Sequence, residues 1–176
     1  MHQISKEFHF EYGHRVWSQK LNSKFSIDSK CVCRHCHGHS GMLKVGLESE
    51  NLTNGMVTDF KHLNFFKQIL DDDFDHKFII DINDPLFDNL FGEVDKAKLI
   101  DKKFYKLPNL NDYKYLPEHI FEKIEGLVVV DFLPTSENLT RLFFNIVENK
   151  IKELDVKVSY IEFWETKKSY CKYTRD

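Results

Sequence analysis

The sequence has no long uninterrupted apolar run. None of its apolar stretches approaches the roughly 18 residues that a membrane-spanning helix needs, so we expect no membrane partner. The first ten residues, MHQISKEFHF, also lack the basic-then-apolar layout of a secretory signal peptide. We therefore expect a cytoplasmic protein.

Cysteines are few and the charges nearly balance. In the cytoplasm thiols stay reduced, so the four cysteines are interpreted as thiols or metal ligands and not as a disulfide framework. The net charge is −3 and no strong basic stripe occurs, which argues against a nucleic-acid partner. Repeats, low-complexity tracts and Gly/Ser linkers are also missing. We expect one domain, residues 1–176.

The composition is that of a folded globular chain with an aromatic core. Apolar residues make up 41% and charged residues 30% of the 176 residues, including sixteen Phe and seven Tyr. Phe8, Phe10, Tyr12 and His14 recur at period two, which predicts a half-buried strand near the N-terminus. A second strand is predicted over residues 42–47, with alternate apolar residues on one face.

Two helices and two further strands follow. Asp59 is typical of a helix N-cap, and Phe60, Leu63, Phe66, Ile69 and Leu70 follow at helical spacing. A second apolar helical stripe begins after Pro134, and strands are predicted from about residue 156 to 165 and after residue 168. Residues 84–131 form a less regular insertion, with a possible short helix at 118–125 and a strand-like run at 126–132. The strand-strand-helix-helix-strand-strand order predicts an α+β fold, with two helices on one face of a four-stranded antiparallel sheet.

Three histidines are candidate zinc ligands. His37 and His39 are two residues apart, so on a strand both imidazoles point to the same face. Gly38 leaves room between them, and His14 ends the first predicted strand, where strand pairing would bring it opposite the pair. Three neutral histidines with one open position are typical of a catalytic zinc site.

A structural zinc knuckle is the alternative metal site. Its ligands would be Cys31, Cys33, Cys36 and His37. Structural sites usually join two ligand pairs across an intervening segment, whereas these ligands fall within one short run. That knuckle would fit a non-catalytic protein.

Several short motifs resemble one known family, the 6-pyruvoyl-tetrahydropterin synthase / 6-carboxytetrahydropterin synthase family. The motifs, in chain order, are Gly13-His14-Arg15, the C-x-x-x-H-G-H run from Cys33 to His39, Gly55–Phe60, Asp75-His76, Pro134–Asn138 and Trp164-Glu165-Thr166. The spacing of Cys33 is closest to the bacterial 6-carboxytetrahydropterin synthases of queuosine biosynthesis. The resemblance spans both ends of the chain and implies the tunnelling fold.

The resemblance also implies a reaction and roles for residues. The substrate would be 7,8-dihydroneopterin triphosphate and the products 6-carboxytetrahydropterin, acetaldehyde and triphosphate. Zn²⁺ would bind His14, His37 and His39, and Cys33 would be the general base. Asp75 and His76 would relay protons, and Glu165 would anchor the pterin.

Two points stay open at the level of the sequence. A longer motif spacing selects Cys31 as the base and resembles the enzymes that make 6-pyruvoyltetrahydropterin. Arg15, Lys30 and Arg34 are triphosphate-binding candidates by proximity alone. Family members usually assemble with sites at subunit interfaces, so a homo-oligomer, most simply a hexamer, is expected by resemblance.

Overall fold

The computed structural model of the protein describes residues 1–175, and most of its elements follow the apolar periodicity of the sequence. Eight segments are β-strands: β1 (His2–His14), β2 (His37–Ser49), β3 (Lys77–Asp81), β4 (Ile100–Asp101), β5 (Lys106–Leu107), β6 (Leu127–Val130), β7 (Lys157–Thr166) and β8 (Ser169–Tyr173). Four segments are α-helices: α1 (Asn64–Ile69), α2 (Phe87–Phe91), α3 (Glu118–Glu125) and α4 (Ser136–Lys150). In the described part of the chain no helix is both long and apolar enough to cross a membrane.

The first of two compact units has a core of aromatic rings. It comprises Met1–Glu11, His39–Asp75 and the described residues from Ser136 onward. Phe143 on α4 lies at its centre, with ring centroids 5.7 Å from Phe10, 6.0 Å from Phe66 and 5.8 Å from Phe163. These contacts are edge-to-face, the arrangement that aromatic quadrupoles favour. The aromatic core expected from the composition is therefore confirmed.

The helix predicted after Asp59 is confirmed, although its geometry changes along its length. The Asp59 carboxylate accepts a hydrogen bond from the Lys61 backbone N–H at 2.7 Å, as an N-cap does. A 3₁₀ turn, Phe60–Leu63, precedes α1, and a π-helical turn, Leu70–Phe74, follows it. Phe60 is 50% exposed, so its predicted place in the buried stripe is wrong. The 3₁₀ turn rotates it away from the position that a 3.6-residue period gives.

The second unit comprises Tyr12–Gly38 and His76–Thr135. Its apolar core is formed by buried residues from strands, helices and the segments between them: Ile80, Phe87, Phe91, Val94, Tyr113, Ile124, Leu127 and Val129. The short helix predicted at 118–125 is confirmed as α3, and the strand-like run contains β6. The predicted insertion is thus a packed structure with its own core, not an irregular surface loop.

The predicted four-stranded antiparallel sheet is wrong in its size, because further strands extend it beyond β1. The antiparallel pairing predicted for its own strands is found between β2 and β7 and between β7 and β8. The sheet has eight strands in the order β4-β5-β6-β3-β1-β2-β7-β8. β1 pairs with β3 in parallel, and β3 pairs with β6 in parallel. All four residues of β6 are buried, and a strand buried on both faces shows no alternation for a period-two reading to detect. Outside residues 77–130 the predicted order of two strands, two helices and two strands is confirmed.

Candidate metal centre

Backbone carbonyls fix the orientation of two histidine rings. Nδ1 of His14, the last residue of β1, lies 2.8 Å from the Pro134 carbonyl oxygen. Nδ1 of His37, the first residue of β2, lies 2.7 Å from the His35 carbonyl oxygen. A carbonyl oxygen can only accept, so each Nδ1 carries the hydrogen and donates it. In the neutral rings the lone pair is therefore on Nε2, the tautomer that binds a metal through Nε2.

The two Nε2 atoms face each other. They lie 3.0 Å apart, where two lone pairs repel unless a cation lies between them. Two nitrogens bound to one tetrahedral zinc at 2.0–2.1 Å would be about 3.3 Å apart. The spacing and tautomers of His14 and His37 therefore fit a shared metal ion.

His39 completes the set. One nitrogen from each of His14, His37 and His39 lies within 4.8 Å of the other two. A Cβ on Gly38 would lie 3.0 Å from the Tyr12 carbonyl oxygen, so glycine allows this close approach of the backbone. Within residues 1–175 this is the one group of three or more potential ligands that meets, and it includes no cysteine. The structure therefore supports the three-histidine site and not the zinc knuckle at Cys31, Cys33, Cys36 and His37.

Cys33 lies in a short turn that is tied to the segment after His14. The turn is a 3₁₀ helix, Val32–Arg34, and Cys33 is half-buried. Its carbonyl oxygen accepts a hydrogen bond from the Val16 N–H at 2.8 Å. Val16 itself is 3% exposed, so this contact is shielded from water. The loop that carries the candidate base is thereby fixed by a residue two positions after a candidate metal ligand.

Asp75 and His76 follow the π-helical turn. The Asp75 carboxylate accepts a hydrogen bond from the Glu11 N–H at 2.8 Å, and the Asp75 N–H donates to the Leu70 carbonyl at 2.7 Å. His76 has φ = +58°, the left-handed region that side chains other than glycine seldom occupy. Such a conformation costs free energy, and residues that adopt it cluster at functional sites. Asp75 is therefore held at β1, and His76 directly follows in a constrained conformation.

Glu165 lies beside the third histidine. Its Oε1 is 3.6 Å from His39 Nε2, an ion-pair distance if the imidazole is protonated and too long for a good hydrogen bond. The side chain of Glu165 is 24% exposed. It is therefore not the fully solvated carboxylate that a strand end often carries.

The basic candidates for a triphosphate site differ in accessibility. The Arg15 side chain is 9% exposed, and its Nε lies 3.0 Å from Asp84 Oδ2. Arg34 Nη1 donates to the Cys31 carbonyl oxygen at 2.8 Å, and Lys30 is exposed. The structure does not support Arg15 as a triphosphate ligand, because its charge is buried and already paired.

Sequence reasoning missed the groups that orient the histidines. The Pro134 and His35 carbonyls belong to the backbone, and every residue type carries a carbonyl, so no sequence signal identifies them. Asp84 was also missed, since a carboxylate after a strand usually indicates a solvated turn.

Known proteins resemble this chain over its whole length. A 6-carboxy-5,6,7,8-tetrahydropterin synthase of Aquifex aeolicus is 34% identical over 188 residues, covering 99% of this chain and 98% of the relative. A 6-carboxy-5,6,7,8-tetrahydropterin synthase of Haemophilus influenzae is 29% identical and covers 98% and 99%.

Solved structures share the fold. An uncharacterised protein of Wolinella succinogenes is 47% identical with a TM-score of 0.95, covering 99% of this chain and 98% of that one. The 6-pyruvoyl tetrahydropterin synthase of Caenorhabditis elegans has a TM-score of 0.57 at 19% identity, with 99% and 95% covered, which shows the fold alone. Residues 3–176 match the family described as 6-pyruvoyl tetrahydropterin synthase. Sequence motifs, fold and full-length similarity thus agree, and the chain belongs to the 6-pyruvoyl tetrahydropterin synthase family.

Proposed function

We propose that the chain is a 6-carboxy-5,6,7,8-tetrahydropterin synthase. It would be a zinc-dependent lyase that converts 7,8-dihydroneopterin triphosphate to 6-carboxytetrahydropterin, acetaldehyde and triphosphate, in the biosynthesis of queuosine and related 7-deazaguanines. The observation that carries the proposal is the convergence of His14, His37 and His39, with two rings oriented for Nε2 ligation. The curated relatives named 6-carboxytetrahydropterin synthase add support because they match the full length.

Each site residue has a proposed role that its surroundings support. The three histidines hold Zn²⁺, which when bound supplies a Lewis acid that stabilises developing negative charge on a substrate oxygen. Cys33 removes a proton from a substrate carbon beside a hydroxyl group, for which its thiol must be converted to the thiolate. Cys33 is half-buried in a turn that is fixed through Val16, which supports this role because a general base must be held within reach of its proton.

Two further groups complete the proposed site. Asp75 and His76 relay protons, and the hydrogen bond from Glu11 to Asp75 keeps that carboxylate in one position. Glu165 accepts two N–H bonds from the aminopyrimidine edge of the pterin. Its position 3.6 Å from His39 supports this role, because a pterin held there has its side chain beside the metal ligands.

The alternative reaction gives 6-pyruvoyltetrahydropterin by loss of triphosphate. It is favoured by the name of the matching family and by Cys31, which has the spacing of that branch. Cys31 directly precedes the turn that holds Cys33, so both thiols belong to one short loop. Both reactions would therefore use the same loop and the same metal site, and they differ in which cysteine is the base and in the product.

The proposed assembly rests on the family resemblance, and the proposed compartment rests on the sequence. We propose a cytoplasmic homo-oligomer, most simply a hexamer, that takes a small-molecule substrate. Light scattering of the purified full chain tests the assembly, and a monomer at micromolar concentration would contradict it.

Product analysis tests the function directly. Zinc-loaded protein is incubated with 7,8-dihydroneopterin triphosphate, and the products are identified by mass spectrometry. We expect 6-carboxytetrahydropterin together with acetaldehyde. A 6-pyruvoyl product would support the alternative reaction, and the absence of any product would contradict both.

The same product assay compares two variants, each of which lacks one of the two candidate cysteines. Cys33→Ala is expected to keep the zinc and lower turnover by at least about a hundredfold, because general-base catalysis contributes about 10²–10⁴. Cys31→Ala is expected to retain turnover, since its neighbour remains. The reverse pattern would assign the base to Cys31.

A further inference from the structure

Two buried carboxylates lie at the end of β3 and in the turn that follows it. Asp81, the last residue of the strand, and Asp84 are each 4% exposed. Buried carboxylates are rare in proteins unless they are paired, and the proposed reaction uses neither of these. Asp84 also begins the insertion for which the sequence gives no role.

In each carboxylate, one oxygen contacts the turn itself and the other contacts the segment that follows His14. Asp84 Oδ1 accepts from the Leu86 N–H at 2.8 Å, while Oδ2 lies 3.0 Å from Arg15 Nε. Asp81 Oδ1 accepts from the Asn83 N–H at 2.9 Å, while Oδ2 accepts from Trp17 Nε1 at 3.2 Å. One oxygen of each residue shapes the turn, and the other holds the segment after His14.

That segment connects a candidate metal ligand to the candidate base. Arg15 forms an ion pair with Asp84, and Trp17 donates a hydrogen bond to Asp81. Val16, between them, donates its N–H to the Cys33 carbonyl. His14 at the start of the segment is oriented by the Pro134 carbonyl. Each of the four residues from His14 to Trp17 therefore contacts another part of the same unit. Two of these contacts involve groups that the proposed reaction needs, the His14 ring and the turn that carries Cys33.

We propose that Asp84, acting through the buried guanidinium of Arg15, is a positioning residue of the site, with Asp81 acting in the same way through Trp17. The pair holds the His14–Trp17 segment in the conformation in which Val16 fixes Cys33. This inference rests on the proposed function. Stability alone does not explain the ion pair between Arg15 and Asp84, because a buried ion pair adds little net stability over apolar side chains of similar volume.

The test compares Asp84→Asn with Glu93→Gln in the zinc-loaded full chain. Glu93 lies in the same unit, and its ion pair with Lys123 at 2.9 Å is partly exposed. The hydrogen bond from Lys123 lowers the pKa of the Glu93 carboxyl, so this control pair is charged at neutral pH. Zinc content, kcat, KM and the alkylation rate of Cys33 by iodoacetamide are measured, the last by peptide mass spectrometry because the chain has three other cysteines.

We expect Asp84→Asn to keep its zinc, to have a lower kcat and to show faster alkylation of Cys33. Its kcat should fall by about tenfold to a hundredfold, as expected when a reacting group is displaced by about 1 Å, while KM stays nearly constant. Alkylation of Cys33 should be several-fold faster because the turn is no longer held. Glu93→Gln should match the wild type in all four measurements.

A second variant covers the case in which Asp84→Asn does not fold. Removing one partner leaves a buried charge uncompensated, whereas Arg15→Gln/Asp84→Asn removes both charges and is better tolerated. The double variant should show the same loss of kcat and faster alkylation. A wild-type kcat or an unchanged alkylation rate in a folded, zinc-loaded variant would overturn the proposal. If the wild-type chain forms no pterin product, the proposed function fails, and the alkylation rate still decides whether Asp84 positions Cys33.

Discussion

At the scale of single residues, backbone carbonyls orient two of the three candidate metal ligands. The partners of His14 and His37 at Nδ1 are carbonyls, from Pro134 and from His35. A carbonyl fixes the tautomer as a carboxylate would, but it brings no formal charge to the site. Under the proposed function, the neutral rings of His14 and His37 would leave the charge of a divalent ion available to a substrate oxygen.

Loss of one histidine should remove the metal. His37→Ala is expected to lower zinc affinity by more than about a hundredfold, because it removes a direct ligand where loss of an outer partner alone costs 10–100-fold. Elemental analysis of dialysed protein measures the stoichiometry. His62→Ala is the matched control, since His62 is exposed and its Nδ1 contacts the Thr58 hydroxyl at 2.5 Å. Equal zinc in both variants would contradict the assignment.

At this scale the sequence predicts which histidines lie together but not what surrounds them. His37 and His39 are identified by spacing, and His14 by its place at the end of an alternating strand. The carbonyl of Pro134 lies 120 positions from His14, and no local pattern connects two such residues. Arg15 is a basic residue beside a ligand, which suggests an anion site until its partner Asp84 is known.

At the scale of elements, β2 carries a glycine that a neighbouring ring covers. A Cβ placed on Gly46 would lie 2.3 Å from Cε1 of Tyr160, the residue paired with it on β7. The ring is also held from the β8 side by Lys172, whose Nζ lies 4.1 Å from its centroid. The pairing register between β2 and β7 shifts directly after Gly46, as at a β-bulge.

Filling this position should destabilise the protein. Gly46→Ala is expected to lower the free energy of unfolding by about 1–3 kcal/mol, because overpacking displaces the ring or the strand. Gly126→Ala is the matched control, since its nearest contact, at 3.5 Å to the Glu122 carbonyl, is ordinary van der Waals contact. Urea denaturation gives both values, and equal midpoints would show that the ring moves without cost.

Elements with a regular period are predictable here, and strands buried on both faces are not. β1 and α4 present clear apolar faces and lie where their patterns predict. β3 and β6 are parallel and short, and β6 is wholly buried, so the sequence alone does not show how they extend the sheet.

For the molecule as a whole, bound metal should add to thermal stability. A ligand that binds only the folded state at a hundredfold excess over Kd contributes about 2.7 kcal/mol. At about 2–4 °C per kcal/mol for a chain of this size, chelation should lower Tm by about 5–10 °C. Calorimetry with and without a chelator measures the shift. His37→Ala should show no shift, and an unchanged wild-type Tm would contradict a tightly bound metal.

β2 is synthesised long before its partner strand β7. All three histidines lie within the first 39 residues, but β7 begins at residue 157, and the carbonyl that orients His14 belongs to Pro134. At about 5–20 residues per second, the ribosome takes on the order of ten seconds to reach these partners. During that time the nascent β2 has one unpaired edge, which is open to association with other chains. Metal loading is therefore expected to follow synthesis of Pro134 and β7, and chaperones that shield nascent chains should raise the yield of metal-loaded protein.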